Sequence, residues 1–230
     1  RPNPDLRPEL AANKEIGCVL SGEDVQTNRQ WRVRGNLYQN DIENFIETLV
    51  EVEENFLNLA CLTLTPPPGC VFGTISIEGT TTAVNLPEAI ISGWELEGSL
   101  RGDSLLAELA WGRSRGESPG DDRPLLNIPA DAIKLHLAWD TQQWRLGARA
   151  NHYRAQRRGP PADLNGGAVS ATPGYTLLDL YARYQPAVSW ARDLVINLGI
   201  DNATDRHYRS HLSTLNSPGR NLRIGFSYQL

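Results

Sequence analysis

The 230-residue chain contains no methionine and begins at Arg1. Such a start is expected of a processed, excised or truncated piece. No apolar run approaches the ~18 residues that a spanning helix needs. If this chain crosses a membrane, strands must do it. The formal charge of −5 argues against a nucleic-acid partner, which would call for a basic face. Catalytic signatures are also missing. There is no HExxH, no phosphate-binding glycine loop and no Cys–His arrangement at useful spacing, so no enzyme is expected. Cysteine is scarce, and none of the three residues has the spacing of a zinc ligand. Cys61 and Cys70 sit in the Pro-rich stretch NLACLTLTPPPGC. A small disulfide loop there suits an exported protein, and two unpaired thiols are the plainer alternative. Cys18 falls on an apolar strand face and reads as a small hydrophobe.

What the chain does have is a period of two. In NLRIGFSYQL, the apolar Leu222, Ile224, Phe226, Tyr228 and Leu230 alternate with Asn221, Arg223, Gly225, Ser227 and Gln229. The same alternation separates Leu178, Leu180 and Ala182 from Asp179, Tyr181 and Arg183. It separates Ile133, Leu135, Leu137 and Trp139 from Lys134 and His136, and Trp144, Leu146 and Ala148 from Arg145 and Arg149. Alternate side chains of a strand point to opposite faces, so this is amphipathic sheet throughout. About nine strands are predicted, near 12–20, 31–41, 89–100, 104–113, 130–140, 143–155, 175–185, 193–202 and 220–230. Each approaches the ~9–11 residues of a tilted strand that crosses a bilayer. One stretch departs from the pattern. Ile42, Phe45, Ile46, Leu49 and Val50 repeat at helical spacing, so a strand end running into a loop with a short helix is expected there.

The predicted connections alternate in length. Those at 101–103, 140–143 and 186–193 are short, 21–30 is intermediate, and those near 42–88, 114–129, 156–174 and 203–219 are long. Short turns at one end and long loops at the other characterise an outer-membrane barrel. Trp139, Trp144, Trp190 and Tyr228 gather at the short-turn end, as aromatics do at a membrane boundary. The opposite face carries Glu95, Glu97, Lys134, Arg145, Arg149, Asp179 and Arg183. A sandwich interior would have to desolvate these charges, whereas a water-filled lumen would not. The expected fold is therefore an all-β antiparallel transmembrane β-barrel with lipid on the apolar face. Bacterial single-chain barrels close with an even number of strands. About nine strands then read as the C-terminal part of one larger barrel domain spanning 1–230. A soluble secreted β-sheet binding module and a passive porin-like barrel are the readings from other classes.

Three segments carry a family resemblance: GYTLLDLYARYQP, LVINLGIDNATDRHYR and PGRNLRIGFSYQL. They resemble the last three strands of a TonB-dependent outer-membrane receptor. The matching positions are Tyr175, Thr176 and Asp179, then Asn202, Asp205 and Tyr208, then Gly219 and Arg220. Upstream, NPDLRPE and SGWELEGSL resemble earlier segments of the same family in the same order. The resemblance implies a 22-stranded barrel, a separate N-terminal plug that contacts TonB, outer-membrane localisation and active import of ferric siderophores, heme or cobalamin. It implies no covalently bound cofactor. Asn3, Pro4 and Leu6 resemble one of two boxes that flank a heme-coordinating histidine in heme receptors. The expected cargo is therefore heme, with a ferric siderophore as the alternative and a heme-carrying protein as a further partner. Candidate ligand contacts are His207 and His211 in the last long loop, because imidazole is a common heme-iron ligand, and Arg145 and Arg149 on the polar face, which could guide an anion. The plainer readings are surface histidines, and arginines paired with Asp179, Glu95 and Glu97.

Overall fold

The computed structural model describes residues 3–50, 54–57, 74–77, 81–120, 122–159, 171–211, 213 and 215–228, and contains no helix among them. The strands are β1 (Leu10–Asp24), β2 (Arg29–Val50), β3 (Glu54–Leu57), β4 (Thr74–Ile77), β5 (Thr81–Arg101), β6 (Leu105–Ser118), β7 (Arg123–Pro124), β8 (Ala132–Asp140), β9 (Trp144–Tyr153), β10 (Tyr175–Tyr184), β11 (Leu194–Asp201) and β12 (Asn221–Tyr228). Nine of them form one antiparallel path in the order β1-β2-β5-β6-β8-β9-β10-β11-β12. β7 pairs with β6, and β3 with β4 makes a separate ribbon. Cys61, Cys70 and Leu230 lie outside the described residues.

Register lines up the two faces across the whole wall. Residues paired across an antiparallel ladder share a face. One apolar row runs Trp31, Leu100, Ala107, Leu137, Ala148, Leu180, Ile200, Leu222. One polar row runs Arg32, Ser99, Glu108, His136, Arg149, Asp179. The apolar rows are left uncovered. Leu137 is 47% exposed, Leu222 72% and Phe226 66%. A soluble sheet would bury such a face against a second layer, and here none of the described residues covers it.

The helical spacing after Ile42 has a different cause from a helix. β2 and β5 continue as a paired hairpin as far as Val50↔Thr81. Ladder pairing breaks once, between Glu43↔Glu88 and Phe45↔Leu86, where Asn44 stands opposite Pro87. Proline has no N–H to offer the ladder, and Asn44 adopts a left-handed φ of 54°. Asparagine tolerates that conformation better than most residues. The register is the same on both sides of the break, yet Ile42 and Phe45, three residues apart, both pack on the same apolar cluster. Three-residue spacing across this break imitates a helix. The predicted loop of 42–88 is accordingly shorter, with strand at both of its ends.

That cluster is the small buried core of the chain. Leu86 and Ala89 of β5 pack against Leu125 and Ile128 of the connection between β6 and β8, with Ile42, Phe45 and Ile91 beside them. Glu47 and Arg123 form an ion pair at 2.9 Å with side chains only 2% and 5% exposed. The second Glu47 oxygen accepts the backbone N–H of Leu126 at 2.7 Å. Buried Gln156 donates to the Ile128 carbonyl at 2.8 Å, and its backbone bridges to Thr172. The 3–9 segment is pinned to the same hairpin. Asn3 donates to the Ala83 carbonyl at 3.0 Å, and Glu9 accepts the Ile46 N–H at 2.7 Å. Pro4 and Leu6 lie within this strap.

Candidate functional site

The polar face supplies the first part of the site. An open depression of about 730 Å³ is lined by Arg32, Arg34, Glu97, Glu108, Lys134, His136 and Arg149, among others. Register puts Glu108 directly opposite His136 and His136 opposite Arg149. His136 Nδ1 lies 2.8 Å from Glu108, and Nε2 lies 2.7 Å from the Tyr181 hydroxyl. With the neutral ring, Nδ1–H donates to the carboxylate and Nε2 accepts from tyrosine. The Arg149 guanidinium stands 5.0 Å from the Tyr181 ring centroid, within cation–π range. Tyr181 lies across Gly147. A Cβ there would sit 2.2 Å from the ring, so only glycine leaves room for this shelf.

At the short-turn end, Arg145 is tied to Asp140, with Nη2 2.8 Å from Oδ2. Trp139 and Trp144 flank the 141–143 turn, and Trp144 stacks on Tyr184 at 4.3 Å. Trp190 projects from the 185–193 connection at 80% exposure, and Tyr228 is more than half exposed.

At the other end, the resembling motif residues meet. Asp179 accepts the Asn202 N–H at 2.8 Å. Asn202 is buried and bonds both backbone groups of Arg206. Asp205 accepts the Arg220 N–H at 2.8 Å, and Arg220 Nε donates to the Ala203 carbonyl. A Cβ on Gly219 would lie 2.7 Å from the Asp205 carboxylate. Asn202 and Asp205 have φ of 48° and 52°, a region that Asn and Asp enter more readily than most residues. These residues form a clamp that holds the β11–β12 connection.

Above the clamp stands a ladder of tyrosines. Tyr153 and Tyr175 pair across β9 and β10 with centroids 4.9 Å apart, and Tyr208 stacks on Tyr175 at 4.6 Å. The ladder flanks a pocket of about 340 Å³ that His211 and Thr172 also line. His211 Nδ1 is 3.0 Å from the Thr172 hydroxyl. Burial, then the nearby Arg209, hold its pKa below the ordinary histidine value, while the Leu126 carbonyl works the other way. His207 is exposed on the same connection. Among the described residues no cluster of three or more His, Cys, Asp or Glu side chains could hold a metal. The tyrosine ladder is not evident in the sequence, because its members come from three segments. The one available signal was that Tyr153 and Tyr175 keep the polar-face parity at the ends of their strands.

Residues 1–203 match the family described as TonB dependent receptor-like, beta-barrel. The chain belongs to that family. It is an outer-membrane chain whose sheet forms part of a barrel wall. It is 28% identical to the heme/hemopexin utilization protein C of Haemophilus influenzae over 98% of its own length and 31% of that protein's. It is 23% identical to the hemin receptor of Yersinia pestis over 99% of its length and 29% of that protein's. The chain thus spans about a third of the length of these curated relatives. Among solved structures, the copper transporter OprC superposes with a TM-score of 0.74 at 18% identity, over 98% of this chain and 32% of that one. The siderophore receptor PirA from Acinetobacter baumannii superposes at 0.65 with 19% identity, over 97% and 32%. At those identities the structures establish the fold alone. In such a barrel the polar face lines the lumen, the short turns are periplasmic and the long connections are extracellular.

Proposed function

We propose that the protein takes part in active, TonB-dependent import of an iron-containing ligand across the outer membrane, and that the ligand is heme. The observation that carries this reading is the end-to-end similarity to two proteins named for heme and hemin. The wall is consistent with it. Arg32, Arg34, Lys134 and Arg149 face the lumen depression, where cations attract propionates. The tyrosine ladder at the extracellular mouth offers flat aromatic surface to a flat ligand. Of the candidate contacts, His211 borders the mouth pocket and Arg149 the lumen depression. His207 stands exposed nearby, and Arg145 is engaged by Asp140. No bond chemistry is involved. The energy comes through TonB, and a heme-carrying protein is the extracellular partner. We further infer that Trp139, Trp144, Trp190 and Tyr228 sit at headgroup level on the periplasmic side.

The test is growth of a heme-auxotrophic Gram-negative host that expresses the protein as its gene encodes it. Heme as sole porphyrin source supports growth, and deletion of TonB abolishes it. Growth rescue by a ferric siderophore but not by heme would replace the ligand. Uptake that persists without TonB would overturn the active mechanism in favour of a passive pore.

A further inference from the structure

The apolar face ends abruptly toward the extracellular side. Trp94 and Trp111 pack edge to face there, with centroids 4.7 Å apart. The alternation of β6 then places Arg113 and Arg115 on that same outward face. Gly112, between Trp111 and Arg113, pairs with Ala132 of β8, which in turn pairs with Tyr153 of β9. Asp131 and Arg154 are the next residues beyond those pairs, so they also point outward, and the Arg154 N–H bonds the Asp131 carbonyl at 2.9 Å. The Asp131 carboxylate is bonded by both Arg115 nitrogens. Arg154 and Arg158 approach it at 4.0 and 3.9 Å. One carboxylate therefore meets three guanidinium groups, and Arg113 adds a fourth positive charge nearby. Glu117, the next outward position on β6 past Arg115, is the nearest further carboxylate along that strand. The crowding is electrostatically real. Burial and the charge of Arg115 lower the Arg158 pKa, and the Arg115 hydrogen bond holds the Asp131 carboxyl below its usual range. Arg113 is exposed, and the Arg154 side chain is 69% exposed. Arg113 and Arg115 lie on the face of the wall opposite the lumen, and Arg154 also borders the pocket beside the tyrosine ladder.

We propose that Arg113, Arg115, Arg154 and Arg158 bind the phosphomonoester groups of a glycolipid in the outer leaflet, just above the Trp94–Trp111 pair. The position is that of headgroups, since interfacial aromatics mark the edge of the hydrocarbon. Guanidinium forks match phosphate oxygens. Excess positive charge favours a phosphomonoester, which carries about −1.5 to −2, over a singly charged phosphodiester. The Asp131 carboxylate keeps the forks fanned apart until the lipid arrives.

The test uses the protein as its gene encodes it, purified in neutral detergent. Native mass spectrometry measures retention of bis-phosphorylated lipid A, dephosphorylated lipid A and phosphatidylglycerol offered in equal amounts. The wild-type protein retains the bis-phosphorylated lipid by at least about thirtyfold over the dephosphorylated one. Arg113→Gln with Arg154→Gln weakens that retention about thirtyfold, by the loss of two cations near the surface. Arg113→Lys with Arg154→Lys retains most of it. Heat-modifiable migration on gels confirms that each variant is folded. Equal retention of phosphorylated and dephosphorylated lipid by the wild type would overturn the proposal without reference to any variant. Equal retention of phosphatidylglycerol would overturn the phosphomonoester assignment.

Discussion

The short-turn half and the long-connection half of this wall are built on different terms. In the lower half, between the short turns and the Trp94–Trp111 pair, the sheet is a single layer. Its apolar rows stay uncovered and its polar rows face water, so the bilayer takes the place of a second layer. In the upper half the same strands leave the membrane and build a protein core. Leu86, Ala89, Leu125 and Ile128 pack there beside the buried Glu47–Arg123 pair. The lesson is that each half meets the demand of its own solvent. A face covered by lipid needs no partner from the chain. A face that emerges into water needs one, and the connection between β6 and β8 supplies it.

The largest effect should come from cutting the upper half at its buried charge. Glu47→Ala leaves the Arg123 guanidinium buried without its anion, and its Nε already lacks a hydrogen-bond partner. Removing one member of a buried pair costs about 3–5 kcal/mol. That is enough to release the 119–131 segment while the strands below hold. Chymotrypsin should then cut after Leu125 or Leu126 in intact outer membranes, and the heat-modifiable barrel band should persist. Replacing both residues with leucine should restore much of the protection, because no charge is then stranded. Loss of the whole barrel in Glu47→Ala would show that the two halves are one cooperative unit.

The lower half should break by the opposite chemistry. Leu137→Arg places a cation in an apolar row that faces lipid, and a mid-depth arginine costs about 2–4 kcal/mol. The neighbouring Lys134→Gln lies on the lumen face and should change stability by a few tenths of a kcal/mol at most. The midpoint temperature of heat modification in purified protein measures both. Equal effects at the two positions would mean that the faces are misassigned.

These two halves were unequally legible in the sequence. The nine strands and their two faces follow from strict alternation, because lipid on one side and water on the other leave each position a single choice. The upper half has no such rule. Glu47 and Arg123 are 76 residues apart, and no local pattern announces their pairing. The break at Asn44 turned a strand into an apparent helix, since periodicity arguments assume an unbroken ladder. Asp179 follows the same logic. Its parity placed it correctly on the lumen face, among charges available to pair with the arginines. The structure engages it with the Asn202 N–H instead, a contact set by the turn after β11. The tyrosine ladder was hidden because Tyr208 reaches Tyr175 only through the fold of the β11–β12 connection.

The smallest effect expected is a pH response confined to the extracellular mouth. The described contacts of His211 are Thr172, Arg209 and Leu126. Burial and Arg209 disfavour its charged form more than the Leu126 carbonyl favours it, so its folded-state pKa lies below the ordinary value. The unfolded loop therefore takes up a proton at higher pH than the folded loop does. By linkage, stability rises with pH wherever the unfolded form binds more protons. The contribution of His211 is then fully present above about pH 6.5, the unperturbed histidine value. It declines as pH falls below that value toward the lowered folded pKa. Hydrogen-exchange protection over 171–211, taken relative to the intrinsic rate at each pH, should fall modestly between neutral and mildly acidic pH, while protection in the membrane-spanning part of β9 stays unchanged. His211→Gln should flatten the response, because its amide does not titrate. A response that survives that substitution would assign the acid sensitivity to another group, and the upper half would then hold a titrating contact that His211 does not explain.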